Sequence, residues 1–120
     1  MSQQEIYLGN PNLKRANVAQ NFTAEEVEEF VKCSKDPVYF ITNYIKIISL
    51  DEGLVPFELY PFQADMVNKF HNNRFNIAKL PRQSGKSTVV TAYLLWYSIF
   101  NDNVNLAILA NTAATAREML

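Results

Sequence analysis

Apolar positions along this chain keep several different rhythms, and each rhythm predicts a different element. From Thr23 onward, Val27, Phe30 and Val31 recur at helical spacing, with Cys33 or Ser34 beside them. Thr23 with Glu26 three residues later is a capping box, so a helix opens there. Asp36-Pro37 begins a second helix, the aspartate as N-cap and the proline at the first helical position. Val38, Phe40, Ile41, Tyr44, Ile45 and Ile48 give it a wide apolar stripe. Leu50 to Pro56 is turn-rich and reads as a connection. Pro61 starts a third helix running to about Asn72, with Phe62, Met66, Val67 and Phe70 on its inner side.

The rhythm then shortens. Phe75 to Leu80 reads as a strand. Lys86 to about Phe100 is apolar on nearly every side, which predicts a buried helix. After the turn Asn101-Asp102-Asn103, Val104 to Ala110 reads as a second strand, and Thr112 as the cap of another helix. Strand, helix, strand, helix predicts an α/β fold with parallel strands and flanking helices, preceded by the earlier helices. Residues 1 to about 20 lack such rhythm and read as an extended arm, with turn chemistry at Gly9-Asn10-Pro11-Asn12. The domain reading is therefore an arm over 1–20 and a domain over 21–120.

Composition changes this picture little. The 120 residues are 48% hydrophobic and 19% charged, which suits a globular domain. A net charge of −1 gives no overall basic footprint, so any DNA contact must be local. Cys33 is the only cysteine, so no internal disulfide forms, which suits a reducing compartment. No apolar run has the length to span a membrane. Met1 to Glu5 lack the basic and apolar regions of a signal peptide.

The candidate chemistry lies between the first predicted strand and the apolar helix, at Leu80-Pro81-Arg82-Gln83-Ser84-Gly85-Lys86-Ser87-Thr88. A turn entering a helix leaves backbone N–H groups facing one concavity, and the helix dipole adds positive charge there. Gly85 allows close approach of a phosphate. Lys86 supplies a mobile point charge for the β- and γ-phosphates, and Ser87 a hydroxyl for Mg²⁺. Thr88 is a second hydroxyl at the helix start. The phosphate-loop pattern has glycine where this chain has Leu80, so the loop is a variant. A partial P-loop NTPase fold binding ATP and Mg²⁺ is the expectation.

Other groups offer less. Glu25, Glu28 and Glu29 fit a solvated helix face, and Asp51-Glu52 beside Gly53 fit a turn. His71 fits a helix end, and Leu13-Lys14-Arg15 a solvated tail. Gln63, in the first turn of the third helix, has the donor and acceptor that match an adenine edge. An exposed helix glutamine fits its spacing equally well. After Ser87 the only acids are Asp102 and Glu118, neither at a strand end where a phosphate-loop ATPase holds its Mg²⁺ shell. The expectation is therefore an N-terminal or truncated piece of a larger ATPase, inactive in hydrolysis by itself.

Several runs together resemble the large terminase subunit of T4-like tailed bacteriophages. They are residues 11–17 (Pro-Asn-Leu-Lys-Arg-Ala-Asn), the helix with Val27-Glu28-Glu29, Asp36 to Phe40, Tyr60-Pro61-Phe62-Gln63, Leu80 to Ser87, and Leu106 to Asn111. The likeness runs from about Tyr7 to Leu120. It implies a DNA-packaging motor with an N-terminal ATPase and a C-terminal endonuclease. By that resemblance Gln63 contacts adenine. Pro81, Arg82, Gln83, Ser84, Gly85, Lys86, Ser87 and Thr88 cradle the nucleotide, and Ser87 faces Mg²⁺. Lys86 and Arg82 are its catalytic residues, Arg82 as an arginine finger in cis, and Asn111-Thr112 resembles a nucleotide- or DNA-linked loop. The implied partners are double-stranded DNA, the portal protein, the small terminase subunit and sibling motor subunits, in the host cytoplasm and away from membranes. The family's acidic strand motif, coupling motif and nuclease domain have no counterpart in these residues. Two alternatives stand beside this reading. One is a superfamily 2 helicase fragment, disfavoured by Arg82-Gln83 before Ser84; the other is a truncated, non-catalytic nucleotide-binding module.

Overall fold

The structure, a computed structural model, describes residues 6–120. The first five residues, and with them the leader reading and the start of the arm, lie outside it.

All five predicted helix starts form where the sequence places them, three of them on a capping side chain. Helix α1 covers Ala24–Lys35. Thr23 Oγ1 accepts the Glu26 N–H at 3.2 Å, while Glu26 Oε2 accepts the Thr23 N–H at 2.9 Å. Helix α2 covers Pro37–Tyr44, with Asp36 Oδ1 accepting the Tyr39 N–H at 3.1 Å. Helix α3 covers Pro61–Asn72, α4 Lys86–Phe100 and α5 Ala113–Glu118. Thr112 caps α5 through the Thr115 N–H at 3.2 Å.

The core sits where α2, α3 and α4 meet. Ile41, Met66, Val67, Val89 and Ala92 are buried together, with Phe57 from the segment entering α3. Leu80 packs partly against this cluster, which anchors the chain just before the loop that enters α4. Helix α1 joins through Trp96, whose Nε1–H donates to the Cys33 carbonyl at 2.8 Å. Burial pushes the Cys33 thiol up.

The parallel sheet expected from the sequence does not form. Among the described residues the only sheets are two antiparallel two-stranded ones. Residues 75–80 and 104–110 run without secondary structure and without ladder hydrogen bonds. Ile77 and Leu109 are almost fully exposed. Apolar alternation or a short apolar run makes a segment competent to be a strand. A strand exists only where a neighbour accepts its backbone bonds, and parallel strands need cover on both faces. The partial P-loop NTPase fold with parallel strands is therefore corrected to a helical core with two hairpins. Helix α4 is corrected with it. Val89, Ala92 and Trp96 are buried, but Leu95 and Ile99 are half exposed, so it is not enclosed between layers.

Two hairpins form where the sequence predicts an extended arm and a connection. Part of the arm forms one, β1 (Ile6–Tyr7) against β2 (Asn10–Lys14). Leu8 and Gly9 both take positive φ, 51° and 75°, as a tight two-residue turn requires. The other is β3 (Lys46–Ser49) against β4 (Gly53–Pro56), with Ile47 opposite Val55 and Ile48 opposite Leu54. The apolar stripe that suggested a longer second helix ends at Tyr44. The β-branched Ile45, Ile47 and Ile48 then favour a strand, and Gly53 at φ 74° closes the loop.

One polar cluster ties α1 to α2. Tyr39 and Tyr44 both donate to Glu29 Oε1, at 2.6 Å and 2.8 Å. The Tyr39 bond, then the Tyr44 bond, holds the Glu29 carboxyl below its usual range. The Tyr44 hydroxyl is pushed up to about 12, chiefly by its bond to Glu29. A raised tyrosine stabilises the fold fully below its unfolded value and loses that contribution as pH rises through about 12. The lowered carboxyl contributes above its unfolded value and loses this as pH falls through its folded one. In Glu29→Gln, the late step of a tyrosinate absorbance titration is expected to move back into the ordinary tyrosine range. An unmoved late step would mean that the carboxylate does not set it.

Candidate nucleotide-phosphate site

The loop before α4 is shaped by two residues in the left-handed region, Gln83 at φ 59° and Gly85 at φ 73°. They flank Ser84, and successive turns of this kind point N–H groups inward as an anion nest. Gly85 is the N-cap of α4 and no side chain caps the helix. The N–H groups of the first turn therefore stay open to a ligand. The first turn holds no acidic residue, so nothing negative offsets the positive end of the dipole. Lys86, Ser87 and Thr88 are exposed there.

Gln63 fixes the loop from the side. It is only 3% exposed. Its Oε1 accepts the Tyr60 N–H at 2.9 Å, and its Nε2 donates to the Ser84 carbonyl at 3.3 Å. The start of α3 is thus tied to the start of α4. A Cβ at Gly85 would stand 2.8 Å from Gln63 Nε2, so glycine is required by both φ and space. The amide keeps one N–H and one lone pair for a further partner.

A cavity of about 620 Å³ opens beside the loop, lined by Pro81, Gln83, Ser84, Gly85 and Thr88 with Gln63 in its wall. The Ser84 hydroxyl is buried without a hydrogen-bond partner. Lys86 and Ser87 line a separate hollow of about 170 Å³ on another side of the helix start, with Met66 and Met119. Arg82 is exposed and makes no ion pair among the described residues. The structure therefore gathers Gln63, Pro81, Gln83, Ser84, Gly85 and Thr88 around one cavity and sets Lys86, Ser87 and Arg82 outside it.

Tyr60 and Phe62 also line the cavity, their rings nearly parallel with centroids 6.1 Å apart. The helical spacing places Phe62 on the inner side of α3 and assigns Tyr60 no role. The aromatic pair around Pro61, immediately before Gln63, was the available signal. Phe62 is partly exposed, at 44%.

Among the described residues no three His, Cys, Asp or Glu side chains gather to hold a metal ion. A Mg²⁺ here would have the Ser87 hydroxyl as its protein ligand and take the rest from phosphate and water. No helix of the described residues is long and apolar enough to cross a membrane. No protein-family model matches the chain.

Proposed function

We propose that the loop from Leu80 to Thr88, braced by Gln63, binds the phosphates of ATP. The observation that carries this is the buried, unpartnered Ser84 hydroxyl between two left-handed residues at an uncapped helix N-terminus. A buried polar group without a partner costs about 1–3 kcal/mol, and a phosphate oxygen would relieve it. The open N–H groups of the first turn of α4 add donors, and Lys86 adds charge along a flexible stem. Ser87 would face the bound Mg²⁺. The adjoining cavity, walled by Tyr60, Phe62 and Gln63, has room for the base and ribose.

The larger setting rests on the resemblance of the quoted runs to terminase large subunits. In that setting the segment serves the ATPase of a viral DNA-packaging motor, an enzyme that draws double-stranded DNA into a prohead. It would work there with the portal protein, the small terminase subunit and sibling subunits, in the host cytoplasm. Arg82, exposed at the loop, would reach the γ-phosphate as a finger or as a clamp.

Titration with a fluorescent ATP analogue tests the site. The chain is expected to bind saturably, and Lys86→Ala to weaken binding at least about tenfold, near 1.4 kcal/mol. Equal affinity in the variant would remove the loop from consideration. Arg82→Ala is expected to lower turnover of the assembled motor more than binding; equal losses would make it a clamp.

A further inference from the structure

The outward face of α1 is apolar and uncovered. Ala24, Val27, Val31 and Ser34 follow one stripe, with Phe22 and Phe30 along its edge. Phe22 is 63% exposed, Val27 50%, Phe30 57% and Val31 42%. A hollow of about 350 Å³ opens among Phe22, Glu26, Val27 and Phe30, large enough to take a side chain from another helix. Such a contiguous patch on a helix marks an interaction surface.

The charges beside the stripe specify what lies on it. Glu25, Glu28, Lys32 and Lys35 follow the neighbouring line of the helix, at spacings of three, four and three. The acids occupy its N-terminal half and the bases its C-terminal half. None of the four makes an ion pair among the described residues, where the single ion pair is Lys69 with Asp65. Lys32 Nζ lies 4.5 Å from the centre of the Tyr39 ring, and the other three charges face solvent. A uniformly acidic line would suit a basic partner. A line divided into acidic and basic halves matches its own reverse.

The geometry points to α1 as a self-complementary interface that pairs antiparallel with α1 of a second copy of this chain. In an antiparallel pair crossing near Phe30, Glu25 lies opposite Lys35 of the second copy and Glu28 opposite its Lys32. The twofold axis repeats both contacts, giving an isologous interface. The apolar stripes meet at the centre and exclude water, while the ion pairs at the rim set orientation and register. This inference is independent of the nucleotide site, which lies at the start of α4.

Sedimentation equilibrium of the full chain, from about 1 μM to about 500 μM, tests it. Wild type is expected to show a concentration-dependent dimer. Val31→Glu is expected to remain monomeric with an unchanged circular dichroism spectrum, because Val31 is exposed and outside the core. The doubly reversed variants E25K/E28K and K32E/K35E are each expected to dimerise at least about tenfold more weakly. Mixed together they are expected to regain association, because each then faces its opposite. A wild type that stays monomeric throughout would overturn the inference and leave the stripe to a different helix. So would a dimer unaffected by Val31→Glu, or a mixture that associates no better than its parts.

Discussion

Trp96→Ala is expected to lower stability by about 3–5 kcal/mol, a large part of the whole for a small domain. Trp96 is 3% exposed, and its indole fills the space where α4 meets α1. His71 meets the ring edge-on at 5.3 Å and Tyr93 stacks on it at 5.6 Å, so truncation removes partners from α3 and α4 together. It also deprives the Cys33 carbonyl of its donor. Trp96→Phe separates the two effects: it keeps much of the ring volume and loses only the donor, so it should cost about 1–3 kcal/mol. Urea unfolding followed by circular dichroism gives both values. Similar losses for the two variants would mean the hydrogen bond dominates, and a loss under about 1 kcal/mol for alanine would mean that α1 is not held through this ring.

Gly85→Ala is expected to damage the loop in two ways. The left-handed conformation costs an L-residue about 1–2 kcal/mol. The new Cβ would also stand 2.8 Å from Gln63 Nε2, so the amide must move and the Ser84 carbonyl loses its donor. Nucleotide affinity should fall at least about tenfold, because the N–H groups around Ser84 no longer converge. A double-mutant cycle with Gln63→Ala isolates the clash. If the amide is what the methyl meets, the combined stability loss will be less than the two single losses added. Strict additivity would show that the cost is backbone strain alone and that Gln63 does not brace the loop.

Local signals were the legible ones. Thr23, Asp36 and Thr112 cap the helices they were expected to cap, because a capping side chain needs only a backbone N–H about three residues away. Helix α3 spans the predicted residues for the same reason, starting at Pro61 with Met66 and Val67 on its inner side. The candidate loop was legible as a string, since Gly85-Lys86-Ser87 stands between a turn and a helix. Its brace was not. The contact between Gln63 and Ser84 joins residues 21 apart, and only the packing of α3 against α4 brings them within 3.3 Å. Glu29 likewise looked like one more solvated acid until α2 brought Tyr39 and Tyr44 to it.

What the sequence by itself determined is where helices begin, which residues can be buried, and which turn is the candidate for binding phosphate. Each depends on groups a few bonds or one helical turn apart. Only the tertiary structure decided which apolar segments find partners. Residues 75–80 and 104–110 have strand composition but no ladder, whereas Lys46–Ser49 and Gly53–Pro56 pair where a helix and a connection were expected. Apolar pattern describes what a segment could bury; pairing depends on a second segment arriving in register, and that is a property of the assembled chain.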